Sequence, residues 1–157
     1  MIYNNIDNLK QDLQVESRFL ALDVGKKFIG LAISDPSRTI CNPVGTINRF
    51  GNKKDFPKIE QYIINYQIEL LVIGLPINID DSESEISQFV RRFANNLDLF
   101  LSKKIKIILY DERYSSSSAR ILIDDHFELK KKVSRKKTID KIAANIILET
   151  FLIDFNK

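Results

Sequence analysis

Arg18-Phe19-Leu20-Ala21-Leu22-Asp23-Val24-Gly25-Lys26-Lys27-Phe28-Ile29-Gly30-Leu31-Ala32-Ile33-Ser34 is the stretch that decides the fold. An apolar run ends in Asp23, a turn at Gly25-Lys26-Lys27 follows, and a second apolar run returns. This predicts two neighbouring antiparallel strands. By period-two alternation Asp23 shares a face with Phe19 and Ala21. Gly25 permits a tight turn and close approach of a phosphate, and Lys26 and Lys27 supply charge. An acid at a strand end is also a common turn-former, and that reading of Asp23 stays open.

Working outward, a third strand is expected over residues 40–48, after the break at Asp35-Pro36. Asp55 with Pro57 in the first turn predicts a helix whose apolar stripe is Ile59, Tyr62, Ile63 and Tyr66. Leu70-Leu71-Val72-Ile73-Gly74 reads as a strand buried on both faces of a parallel sheet. Ser82 and Glu85 have capping-box spacing ahead of Ile86, Phe89, Val90, Phe93 and Leu97. A fifth strand is expected over 105–110, a short helix over 115–124 and a last helix over about 135–155. Residues 1–17 are polar, with Ile6, Leu9 and Leu13 at helical spacing, and read as a leader forming a short helix or arm. Residues 18–157 then form a single α/β domain. Its mixed five-stranded sheet combines a three-strand meander with two parallel strands and is flanked by helices.

Composition narrows the function classes. The chain has 157 residues, a formal net charge of +3 and a pI near 8.9, which permits nucleic-acid contact without requiring it. Cys41 is the only cysteine, so an intramolecular disulfide is impossible, and with His126 as the only histidine no thiolate zinc site can be built. No apolar stretch reaches the length of a membrane span, and the first ten residues lack the regions of a signal peptide. A cytoplasmic protein is expected.

Four further motifs carry chemistry. Gly74-Leu75-Pro76 with Asn78 and Asp80-Asp81 reads as a polar strand-to-helix loop, but it lies where open α/β sheets bind ligands. Asp111-Glu112-Arg113 follows the fifth strand, and Ser115 to Ser118 offer hydroxyls suited to phosphate or helix capping. If the strand over 70–74 lies between the first and the fifth, Gly74 has no side chain to block Glu112 from a metal near Asp23. Asp140 falls at the margin of the last helix's apolar stripe (Ile139, Ile142, Ala143, Ile146, Thr150 and Ile153), in line with Ala144, Ile147 and Phe151. A half-inside carboxylate needs a partner, and a metal is a good one; the alternative is an acid offsetting the helix dipole. Lys130-Lys131-Lys132 and Arg135-Lys136-Lys137 form the densest basic stretch, to which Lys26, Lys27, Arg91 and Arg92 add. A solvated surface is the plainer reading of that run. His126 reads as a surface residue and Cys41 as a small packing residue.

Phe19 to Pro36, Val72 to Asn78, Asp111 to Ser116 and Arg135 to Ala144, in this order, resemble the bacterial YqgF family. Its members are described as candidate pre-16S rRNA nucleases or candidate Holliday-junction resolvases of RNase H-like fold. The first motif alone is shared with sugar kinases, but this chain is too short for the two lobes of such an ATPase. The resemblance implies catalytic, metal-binding acids at Asp23, Glu112 and Asp140, and Mg²⁺ or Mn²⁺ as one ion or as two about 3.5–4 Å apart. Lys26, Lys27, Arg113, Arg135, Lys136 and Lys137 are the expected nucleic-acid contacts. Two features depart from the family pattern: the long leader and the compact link from Phe50-Gly51 to Phe56.

The expected activity is metal-dependent endonucleolytic hydrolysis at the 5′ end of precursor 16S ribosomal RNA. The alternatives are a resolvase acting on branched DNA and a non-catalytic RNA-binding assembly factor. A monomer or a homodimer is expected; symmetric junction cleavage would call for the dimer.

Overall fold

A computed structural model describes the chain except residues 4, 15, 78–81, 83 and 112–135, and describes 136–141 as backbone alone. The expected helix over 115–124 lies outside the described residues. Among the described residues, six strands and four helices follow in the order β1 (Ile2–Tyr3), α1 (Ile6–Lys10), β2 (Arg18–Val24), β3 (Phe28–Ser34), β4 (Cys41–Asn48), α2 (Asn52–Tyr66), β5 (Ile68–Leu75), α3 (Glu85–Phe100), β6 (Lys106–Asp111) and α4 (Lys136–Phe155).

All six strands form one sheet of order β1-β6-β5-β2-β3-β4. The β2-β3-β4 meander is antiparallel, while β5 runs parallel to β2, β6 to β5 and β1 to β6. The mixed α/β sheet is therefore as expected, with β5 between β2 and β6, but it has six strands rather than five. The added strand is in the leader, where Ile2 and Tyr3 lie opposite Ile107 and Ile108. Two residues carry too little alternation to be read as a strand from sequence. The helix expected in the leader is α1, and its Leu9 is fully buried.

Two cores cover the two faces. On one, β2, β3 and β5 pack Leu22, Leu31 and Ile73 against Phe56, Ile59 and Ile63 of α2 and Val90, Phe93 and Leu97 of α3. On the other, Phe19, Ala21, Ala32, Val72, Ile108 and Tyr110 meet α4 through Ala144, Ile147, Leu148, Phe151 and Phe155. Phe151 is the centre of an aromatic cluster, edge-on to Phe19 at 6.0 Å and to Tyr110 at 5.4 Å between centroids. Such pairs contribute about 0.5–1.5 kcal/mol each beyond their area.

Three local expectations are corrected. Helix α2 begins at Asn52, so Pro57 lies in its second turn, and the start is set by Gly51 at φ 100°. Ser84, not Ser82, caps α3, its hydroxyl accepting from the Ser87 N–H at 3.2 Å. On α4 the sheet-facing line is Ala144, Ile147/Leu148, Phe151 and Phe155, rotated about one residue, or ~100°, from the expected stripe. The stripe was displaced because Ile and Ala are spread around this helix, and only contact with the sheet selects a face.

Candidate active site

Asp23 is half-buried near the end of β2, directly opposite Gly30 of β3. The parallel register pairs Leu22 with Ile73, so the next residue, Gly74, stands beside Asp23; Gly74 in turn pairs with Tyr110. Gly30, Asp23, Gly74 and Tyr110 thus form one row across the sheet. The row is on the face that α4 covers, because Ala21, Val72 and Ile108, two residues back on each strand, belong to that core. Two residues without side chains thus flank Asp23 in the sheet. The strand order anticipated for Gly74 is the one found.

The turn after Asp23 is held from several directions. Gly25 N–H donates to the Phe28 carbonyl at 2.9 Å, and a Cβ at Gly25 would lie 3.1 Å from that oxygen. Arg49 N–H donates to the Lys27 carbonyl at 2.9 Å, and its guanidinium donates to the Gly25 carbonyl at 3.2 Å. The same guanidinium pairs with Asp55 and lies over the rings of Phe89 and Phe93. Lys26 and Lys27 are consequently exposed on an anchored turn. Sequence reading passed over Arg49 and took Asp55 only as a helix start, because their partners lie on different elements.

The remaining acids are described unequally. Asp140 lies in α4 one helical turn before Ala144, which brings its position onto the sheet-facing line of the helix. Lys136 and Lys137 form the first turn of the same helix. Glu112, Arg113 and Arg135 lie outside the described residues, as does His126. Asp111, immediately before Glu112, ends β6 opposite Leu75. A groove of about 460 Å³ opens at this end of β5 and β6, lined by Leu75, Ile77, Arg91, Tyr110, Asp111 and Asp154, while Arg92 is exposed on α3. Among the described residues no three acids, histidines or cysteines come together. Burial, and then Glu149, pushes the Cys41 thiol up to about 12, so it is no nucleophile at neutral pH.

A family model described as "RuvX: Holliday junction resolvase" matches residues 17–154. The chain belongs to that family. A relative from Thermoanaerobacter pseudethanolicus, named "Putative pre-16S rRNA nuclease", is 41% identical over 135 residues, 86% of this chain and 95% of its own. A relative of the same name from Listeria monocytogenes is 35% identical over 138 residues, 86% of this chain and 96% of its own. The YqgF resemblance read from the motifs is membership of this RuvX family, a family of nucleases, which makes the chain a hydrolase acting on nucleic acid. Among solved structures, Thermus thermophilus RuvC in complex with Holliday junction substrate superposes with a TM-score of 0.57 at 8% identity, covering 88% of this chain and 94% of that one. A second Thermus thermophilus RuvC structure gives 0.51 at 7% identity, covering 87% of this chain and 96% of that one. These likenesses establish the RNase H-like fold expected from sequence. None of the described helices is long and apolar enough to cross a membrane.

Proposed function

We propose that this chain is a metal-dependent endonuclease that processes the 5′ end of precursor 16S ribosomal RNA, with Asp23, Glu112 and Asp140 as its catalytic acids. The observation that carries the reading is Asp23 at the end of the central strand β2, flanked by Gly30 and Gly74 and followed by an anchored, lysine-bearing turn. The names of the relatives support the substrate.

The donor set fits a hard divalent cation. All three groups are carboxylates, the oxygen ligands that Mg²⁺ and Mn²⁺ prefer, and the positions beside Asp23 on both neighbouring strands are glycines. One or two such ions, when bound, supply the Lewis acidity that makes water nucleophilic at neutral pH and offsets charge on the leaving oxygen. Water adds to phosphorus, the P–O3′ bond breaks, and a 5′-phosphate and a 3′-hydroxyl result, with the water proton ending on the 3′-oxygen. Asp23, Glu112 and Asp140 would together hold the ion or ions. Lys26, Lys27, Arg113, Arg135, Lys136 and Lys137 hold the phosphates flanking the scissile one.

A resolvase acting on branched DNA is the second reading, favoured by the family description. It requires a stable dimer to cut two strands symmetrically, whereas processing of one RNA end does not. The test is cleavage of precursor small-subunit RNA and of a four-way DNA junction, side by side with Mg²⁺ or Mn²⁺, by wild type and Asp23→Asn purified identically. RNA cut by wild type, and slowed more than ~100-fold in the variant, is expected. Junction cutting alone favours the resolvase. Binding without cutting of either leaves an RNA-binding assembly factor.

A further inference from the structure

Phe50 is 67% exposed although its backbone is firmly tied. Its N–H donates to the buried Asp55 carboxylate at 3.0 Å, Asp55 is paired with Arg49, and Gly51 then turns the chain into α2. A ring presented on an anchored backbone loses little freedom when something binds it. Lys54 and Lys58, one and two turns along α2, bring their Nζ atoms to 5.8 and 5.5 Å from the ring centroid, and Lys53 is exposed beside them. Next to the ring a groove of about 570 Å³ runs between edge strand β4 and α2, lined by Thr46, Asn48, Phe50, Lys58, Gln61 and Tyr62.

A single exposed aromatic is ordinary, and two lysines near a ring need no more explanation than a weak cation–π attraction. That leaves the groove and its chemistry. An aromatic platform, exposed amides from Asn48 and Gln61, and a rim of lysines are the parts that hold a nucleotide: a face to stack on, donors and acceptors for a base edge, and charge for phosphate. The lysine rim also disfavours an apolar protein partner.

Resting on the nuclease reading above, we propose that this corner is a second nucleic-acid subsite, binding an unpaired nucleotide of the substrate strand with its base on Phe50 and its phosphates on Lys54 and Lys58. The corner is tied to the turn beside the candidate active site, since Arg49 holds both Asp55 and the turn bearing Lys26 and Lys27. Thr46 faces Gly30, which faces Asp23. Two strand spacings across and four residues along place Phe50 about 16 Å from Asp23. The nucleotide is unpaired because a base inside a duplex has no free face to stack.

The test is fluorescence anisotropy of a labelled single-stranded RNA dodecamer, and of a blunt duplex of the same sequence, without divalent metal so that nothing is cut. Phe50→Ala is expected to weaken single-strand binding by ~5- to 150-fold while leaving duplex binding and the melting temperature unchanged. Phe50→Trp retains wild-type affinity, and Lys54→Gln with Lys58→Gln lowers the salt slope by about 1.4. Wild-type affinity in Phe50→Ala, equal weakening in the Ala and Trp variants, or no single-strand binding by wild type overturns the proposal. Wild-type cleavage by Asp23→Asn in the presence of metal would count against the acids alone, so the two readings fail separately.

Discussion

Arg49 and Asp55 form an ion pair, Nε to Oδ2 at 3.2 Å, in which the Asp55 side chain is fully buried and that of Arg49 is 9% exposed. The pair joins the β2–β3 turn, the end of β4 and the start of α2, because Arg49 also reaches the Gly25 carbonyl and Asn52 Oδ1. Removing one partner strands the other charge away from water. Asp55→Ala is therefore expected to cost about 3–5 kcal/mol, read as a lower urea midpoint with an unchanged slope. A loss below about 1 kcal/mol would mean that water satisfies Arg49 and that the pair does not anchor the turn.

Metal binding is predicted to show without any substrate. At a hundredfold excess over its dissociation constant, a single ion stabilises the native state by about 2.7 kcal/mol. For a chain of this size that raises the melting temperature by ~5–11 °C. Wild type is expected to show this rise with Mn²⁺ and Asp23→Asn to lack it. Equal shifts in both would remove Asp23 from the metal site.

Leu9 tests whether the leader belongs to the domain. Its side chain is fully buried in the core beneath α4, and Tyr3, Ile6 and Leu13 pack against the same core. Leu9→Ala is expected to cost about 2–5 kcal/mol, the range for a buried leucine whose site cannot collapse. A change within 0.5 kcal/mol, roughly the scatter of surface substitutions, would make the leader an accessory arm.

Acid stability should carry a contribution from Asp35. Burial pushes its carboxyl up, but the N–H groups of Ile40 and Thr39 and the Ser37 hydroxyl outweigh it and leave the group lowered to about 2. Because the folded value lies below the unfolded 3.8, the stabilisation is present above 3.8 and is lost as the pH falls through about 2. The melting-temperature difference between wild type and Asp35→Asn is expected to be constant near neutrality and to shrink over that acid window. A difference independent of pH would show that the β3–β4 turn does not need the charge.

The strands, the meander and the parallel pair were legible because uninterrupted apolar runs ending in Asp23 and Gly74 leave little choice of structure. The proposed acids stood out in the sequence because each sits where a strand ends or a helix begins. Strand β1 was not, being two residues whose pairing exists only once β6 is in place. The sheet-facing line of α4 was not, since alanines and isoleucines occur around the whole helix and only packing on β2 and β3 selects among them. Asp55, an acid that looked like a helix start, proved to be the buried partner of Arg49 and the acceptor for Phe50.

The sequence by itself determined the α/β class and the family, because local hydrophobic periodicity and short motifs are properties of neighbouring residues. Only the tertiary structure decided that Gly30 and Gly74 flank Asp23 and that Arg49 clamps the turn beyond it. It alone showed that Phe50 stands beside a lysine-rimmed groove. Those relations join residues distant in the chain, and strand register and helix rotation, set by packing both faces of the sheet at once, bring them together.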